Sequence, residues 1–229
     1  MEKSQYELCI EVLRRLEKTG VLKHLVIIGS WCIPFYKEYF TNVRYIPSIR
    51  TRDIDFLVPK PRSIEVKVDL PEILKDLGFI IGFKGSKGFI RLENPDLIIE
   101  FLVPERGRGT DKPHPLPQLG LNAQTLRFLG FLTDNVIHVK VEGLSLTLPH
   151  PANFALHKLI VSQRRKIDEK MIKDSEAGLN ILKALVDKGE NSLIKQVYKT
   201  IPQSWRKKIK TVLRDLKEPS LLELLEYFD

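Results

Sequence analysis

Val26-Ile27-Ile28-Gly29-Ser30 and Arg52-Asp53-Ile54-Asp55-Phe56-Leu57-Val58 are the two stretches from which the rest of the chain is read. The first is an apolar run stopped by Gly-Ser. The second sets two carboxylates, one residue apart, inside another apolar run, and alternation along a strand turns both to the same side. Like charges on one face repel unless something positive sits between them, so the pair predicts a divalent cation held by oxygen ligands. Gly29-Ser30 ends a strand and opens a helix, which offers backbone N–H groups, a hydroxyl and a positive dipole end to an anion such as phosphate. The competing reading is a Gly-Ser turn with a serine cap.

A third acid stands further along. Glu100 interrupts Leu97-Ile98-Ile99 and Phe101-Leu102-Val103 in a strand expected over 96–103, and an acid in so apolar a run needs a partner. The alternative is an edge-strand glutamate that faces solvent or pairs with a surface arginine. Arg44, Arg50 and Arg52 bring positive charge close to the acidic pair from an irregular stretch over 42–51. The glycine- and proline-rich segment 104–120 carries Arg106, Arg108 and Lys112 and is expected to be a loop. Such a loop is either a contact for a triphosphate or an RNA backbone, or simply mobile.

Around these landmarks the pattern predicts an amphipathic helix over 2–19, a buried strand over 24–28 and a helix over 31–40 with Pro34 in its first turn. A short helix over 70–77 closed by Gly78, strands over 79–83 and 89–93, and a hairpin of 136–141 with 144–148 complete the first part. Pro149-His150-Pro151 marks the expected boundary between a domain of residues 1–149 and a helical one of 150–229. In the latter the periodicity gives helices over 152–166, 168–187, 190–200, 203–216 and 219–228. Lys158 sits among Phe154, Ala155, Leu156, Leu159 and Ile160, so it either snorkels to water or reaches a buried anion. From Lys195 to Arg214 there are seven basic residues and no acid, the best candidate for a surface facing nucleic acid, with a solvated helix face as the alternative.

Composition narrows the class. The chain has 229 residues, 43% of them hydrophobic, enough for a sizeable core. Its formal charge of +8 favours polyanionic partners, although lysine-rich surfaces also serve solubility. Cys9 and Cys32 are too few for a disulfide framework and are expected as reduced thiols in a cytoplasmic protein. Neither a signal-peptide pattern nor an apolar run long enough to span a bilayer occurs, so no membrane association is expected.

With Gly29-Ser30, Asp53-Ile54-Asp55 and Glu100 together, the sequence resembles the DNA polymerase β-like nucleotidyltransferase superfamily. Its pattern is an apolar strand, Gly-Ser or Gly-Gly, then Asp-x-Asp, then a third acid on a later strand. The run Arg50-Thr51-Arg52-Asp53-Ile54-Asp55-Phe56 looks most like the branch of abortive-infection type nucleotidyltransferase toxins, and Lys158-Leu159 with Arg164-Arg165 is similar to a lysine-bearing helix of that branch. The separation of Ser30 from Asp53 exceeds that of the minimal members, and Glu100 is assigned to the third acid by its strand context alone.

The resemblance implies an α+β (mixed α/β) fold, a mixed sheet with flanking helices followed by a helical C-terminal domain. It implies an Mg²⁺-dependent nucleotidyltransferase that moves an NMP from an NTP such as ATP to an acceptor hydroxyl and releases pyrophosphate. Asp53, Asp55 and Glu100 would be catalytic and would hold Mg²⁺, as two ions. Gly29, Ser30, Arg52 and Lys158 would bind the nucleotide. RNA is the favoured acceptor because of the basic C-terminal helices, with protein or a small molecule as alternatives, and a cognate regulatory protein such as an antitoxin is a further partner. The contrasting reading is a silent nucleotide- or RNA-binding module, or a partner-regulated interaction protein, on the same fold.

Overall fold

The computed structural model describes residues 3–47, 51–105 and 112–226, so Arg50, Arg106 and Arg108 lie outside the described residues. The chain divides into two compact units, Met1–Tyr39 with Pro47–Pro149, and Phe40–Ile46 with His150–Asp229.

The first unit opens with helix α1 (Lys3–Lys18), whose Cys9, Ile10, Val12, Leu13 and Leu16 recur at helical spacing and are all buried. Strand β1 (Val26–Ile28) follows. The helix expected over 31–40 is instead a broken one. A 3₁₀ turn (Gly29–Trp31), a single α-helical turn α2 (Cys32–Phe35) and a second 3₁₀ turn (Tyr36–Glu38) share that stretch. Pro34 has no N–H for a regular ladder, which fits a helix this short.

Strand β2 (Asp53–Leu57), helix α3 (Leu70–Leu74) and the hairpin of β3 (Ile80–Lys84) and β4 (Phe89–Glu93) come next, then β5 (Ile98–Pro104). Two strands went unpredicted. The segment expected to be a loop holds β6 (His114–Leu116), and β7 (Leu121–Leu126) follows it. Among the described residues these strands form one sheet in the order β1-β2-β5-β4-β3, with β7 on β5 and β6 on β7. It is mixed, since β2 and β7 run parallel to β5 while β1 and β4 meet their neighbours antiparallel. Strands β8 (Val136–Val141) and β9 (Leu144–Pro149) make the expected hairpin around Glu142-Gly143.

The sheet's two faces differ. Ile27, Ile54, Phe56, Leu92, Ile99 and Phe101 share one face and are buried, with Phe56 and Phe101 stacked at 5.6 Å. The other face changes character along its strands. Val26, Leu57 and Leu102 form one row, capped by Leu129 and Leu132 in an apolar cluster. One row away, residues in register carry charge, as described below.

The second unit is helical: α4 (Pro151–Ser162), α5 (Asp168–Asp187), α6 (Asn191–Thr200), α7 (Gln203–Asp215) and α8 (Pro219–Glu226). Helix α4 begins at His150, whose Nδ1 accepts the Ala152 N–H at 3.1 Å, and it is apolar almost all round and correspondingly buried. Gly178 on α5 lets the two helices close up, because a Cβ there would stand 2.8 Å from the Ala155 carbonyl oxygen.

Candidate functional site

Register builds the site. Asp55 of β2 lies opposite Glu100 of β5, Ile28 of β1 lies on its other side, and beyond Glu100 come Arg91 of β4 and Gly82 of β3. Residues in register share a face, so Asp55, Glu100 and Arg91 form one row across the middle of the sheet. Asp53, two residues back on β2, shares that face and lies opposite Ile98. Asp53 is exposed and Asp55 half-buried, in keeping with a strand that begins at Asp53. Glu100 is on a central strand and only 8% exposed, which removes the edge-strand alternative.

Gly29 is held here for two reasons. Its φ of +71° is a left-handed conformation that a side chain resists, and a Cβ would collide with the Asp55 carboxylate. Gly-Ser therefore brings the backbone directly against Asp55, a contact that follows from Ile28 being the register partner of Asp55. Ser30 is half-buried in the 3₁₀ turn that follows, and no side-chain cap bond forms there.

The third acid has its partner. Lys84, the last residue of β3, donates to the Glu100 Oε2 at 2.6 Å. Arg91 is committed elsewhere, its Nε donating to Glu93 Oε1 at 2.6 Å. That pair lies over the bare backbone of Gly82, where a Cβ would collide with the Glu93 carboxylate. As the side chains stand, no three His, Cys, Asp or Glu residues among those described gather closely enough to hold a metal ion. The donor set is nonetheless the right kind. Asp55 and Glu100 face each other across one ladder with Asp53 beside them, all hard oxygen ligands of the sort Mg²⁺ prefers.

Other expected contributors are not members of this row. The Arg52 guanidinium donates to the Asn94 carbonyl oxygen at 2.8 Å. Arg44 and Lys158 belong to the second unit. Lys158 reaches a buried anion: its ammonium donates to Asp174 Oδ1 at 2.6 Å, and Arg165 donates to the other oxygen at 2.6 Å. Burial pushes the Asp174 carboxyl up, and the Lys158 and Arg165 charges more than reverse this, leaving it below its ordinary value. Beside them His157 is held down to about 3, first by burial and then by the Lys158 charge. In the basic stretch, α7 buries Ile209, Val212 and Leu213 and turns Gln203, Arg206, Lys207, Lys210, Thr211 and Arg214 to a shallow concavity of about 430 Å³.

A sequence model described as nucleotidyltransferase matches residues 7–201. This chain belongs to that family. Membership agrees with the resemblance read from Gly29-Ser30, Asp53-x-Asp55 and Glu100, and makes the chain a nucleotidyltransferase by family. No curated protein sequence matches it. Among solved structures it is similar to an antigenic nucleotidyltransferase-like protein from Paracoccidioides brasiliensis, at 16% identity and a TM-score of 0.49, over 96% of this chain and 92% of that one. It is also similar to ANT(2")-Ia, solved in complex with adenylyl-2"-tobramycin, at 14% identity and a TM-score of 0.49, over 91% of this chain and 98% of that one. The family match, rather than these distant likenesses, carries the assignment.

Lys84, Arg91, Glu93 and Gly82 were absent from the sequence-based site. Lys84 precedes a Gly-Ser-Lys-Gly turn and reads as an ordinary turn lysine. Only the pairing of β3 and β4 with β5 brings it to Glu100.

Proposed function

We propose that this nucleotidyltransferase moves the nucleoside monophosphate of an NTP, ATP among them, to an acceptor hydroxyl, with Asp53, Asp55 and Glu100 as its catalytic acids. The observation that carries the reading is the direct opposition of Asp55 and Glu100 across parallel strands, with Gly29 closed onto Asp55. In the reaction the acceptor oxygen forms a bond to the α-phosphorus, the bond from that phosphorus to the bridging oxygen of the β-phosphate breaks, and pyrophosphate leaves. Glu100, on a central strand, takes the acceptor proton. The N–H groups around Gly29 and the Ser30 hydroxyl bind the outer phosphates, with Arg52 and Lys158 as further clamps. Asp53, Asp55 and Glu100 would hold Mg²⁺, as two ions, which when bound supplies charge neutralisation at the phosphates.

RNA is the favoured acceptor, supported by the four cations on one face of α7. Protein and small-molecule acceptors are the alternatives. Cys9 and Cys32 are both buried and neither is in a disulfide, in keeping with a cytoplasmic protein, and no helix among the described residues is long and apolar enough to cross a membrane. Control by a cognate protein, as the toxin-like run at 50–56 suggests, belongs to the same proposal. A silent binding module is the second reading, favoured by the ungathered acids.

The two readings separate on Asp53→Asn combined with Asp55→Asn. Incubation of wild type and variant with each labelled NTP and total RNA, cell protein or small acceptors locates the label. Wild type is expected to label an acceptor in an Mg²⁺-dependent way and the double variant to lose at least about a thousandfold in rate with its circular dichroism unchanged. A variant that bound nucleotide and metal as well as wild type would overturn the catalytic reading.

A further inference from the structure

Glu100 sits between an acid and a base in its row, Asp55 on one side and Arg91 on the other. The base in register is the obvious neutraliser, yet Arg91 is engaged by Glu93 across the gap left by Gly82. Neutralisation falls instead to Lys84, which arrives from the end of the edge strand β3.

We propose that Lys84 is a positioning residue that holds the Glu100 carboxylate and competes with a divalent cation for it. The proposal rests on the reading of Glu100 as a metal ligand. The pair is lopsided: the Glu100 side chain is 11% exposed and the Lys84 side chain 46%. Almost all the desolvation cost therefore falls on the carboxylate, while the ammonium keeps much of its water and leaves at little cost. While Lys84 occupies Oε2 of Glu100, that carboxylate is turned to the hairpin, and no group of three acids gathers. A divalent cation shared by Asp55 and Glu100 offers two charges where the lysine offers one, so it displaces the half-exposed ammonium into water. Lys84 thus keeps a buried acid balanced until the cation arrives and sets how much cation is needed.

A merely structural lysine and a competing one give opposite signs. The test is Mn²⁺ binding without nucleotide, followed by electron paramagnetic resonance on the full chain, for wild type, Lys84→Met, Lys84→Arg, Glu100→Gln and the Lys84→Met/Glu100→Gln double variant. Lys84→Met is expected to bind Mn²⁺ about fivefold tighter than wild type, the loss of one half-exposed ion pair. Lys84→Arg should stay near wild type because it keeps the charge. In the Glu100→Gln background the Lys84→Met effect should vanish, as the two act through one interaction. Lys84→Met binding Mn²⁺ equally or more weakly than wild type overturns the role of Lys84 and leaves the metal reading standing. No Mn²⁺ binding by any form, wild type included, overturns both. Lys84 ends an exposed edge strand, and Lys84→Gln, equally uncharged and expected to shift Mn²⁺ affinity in the same direction, keeps the comparison available should the methionine variant fold poorly.

Discussion

Two buried carboxylates, one in each unit, are balanced in different ways. Asp174 in the helical unit is held by a buried Lys158 on one oxygen and by Arg165 on the other, both at 2.6 Å. Glu100 in the sheet unit has one half-exposed lysine on one oxygen. The first has a cation on each oxygen, and one of them, Lys158, is itself buried. The second is provisionally balanced, with its register partner another acid. A carboxylate built for architecture uses up its lone pairs on fixed partners, and one built for chemistry keeps capacity for a ligand that comes and goes. By this measure Lys158, expected as a nucleotide clamp, is already engaged by Asp174, and any nucleotide phosphate must share it.

The sharpest way to break this contrast is to neutralise each acid in turn. Asp174→Ala leaves the Lys158 ammonium buried among apolar residues of α4 with no counter-charge, and is expected to cost about 3–5 kcal/mol of stability. Glu100→Gln leaves behind only a lysine able to turn to water, and is expected to cost under about 1 kcal/mol while removing transfer. Urea unfolding followed by circular dichroism measures both. Equal losses of stability would mean that Glu100 is structural too.

The acids themselves were legible because carboxylates are conspicuous in apolar runs: Asp53, Asp55 and Glu100 need no structure to be noticed. Their opposition was not, because β2 and β5 are parallel partners separated by a hairpin and a helix, and register between distant strands is a tertiary property. The helical half read well, since long stretches of 3.6-residue periodicity are the strongest local signal. Strand β7 was missed because Leu121-Asn122-Ala123-Gln124-Thr125-Leu126 mixes apolar with polar residues and is held in the sheet by pairing with β5. Residues 40–46 grouping with the helical unit left no local trace at all.

Gly29 offers a sharper test of the sheet site at smaller cost. Gly29→Ala forces a side chain into a left-handed conformation and into the Asp55 carboxylate, so that carboxylate must move. A displacement of this kind is expected to lower kcat about a hundredfold, with a stability loss near 1 kcal/mol. The matching change at the helical cluster, Gly178→Ala, meets the Ala155 carbonyl and Leu159 and should act on stability alone. Transfer kinetics and thermal unfolding of the two variants side by side separate a glycine that serves the site from one that serves the packing.

The last contrast lies in pH. His157, one residue before Lys158, is held down to about 3 from an ordinary 6.5, with its buried Nε2 lacking a hydrogen-bond partner among the described residues. Between those values the unfolded chain binds a proton at this position and the folded chain does not. Stability is therefore full above about 6.5 and falls as the pH drops toward 3, by at most about 1.4 kcal/mol per pH unit. Asp174 adds to the fall at lower pH, because its depressed carboxyl contributes stability that is lost as the pH drops through its folded value. Thermal unfolding from neutral pH to about 4.5 isolates the histidine, since most of that range lies above the carboxylate's. His157→Phe, which keeps a buried ring and removes the proton site, is expected to flatten the slope while leaving the Lys158–Asp174 pair in place. An unchanged slope would move the acid sensitivity from this cluster to another part of the chain, and with it the claim that the helical unit carries the less forgiving of the two charge arrangements.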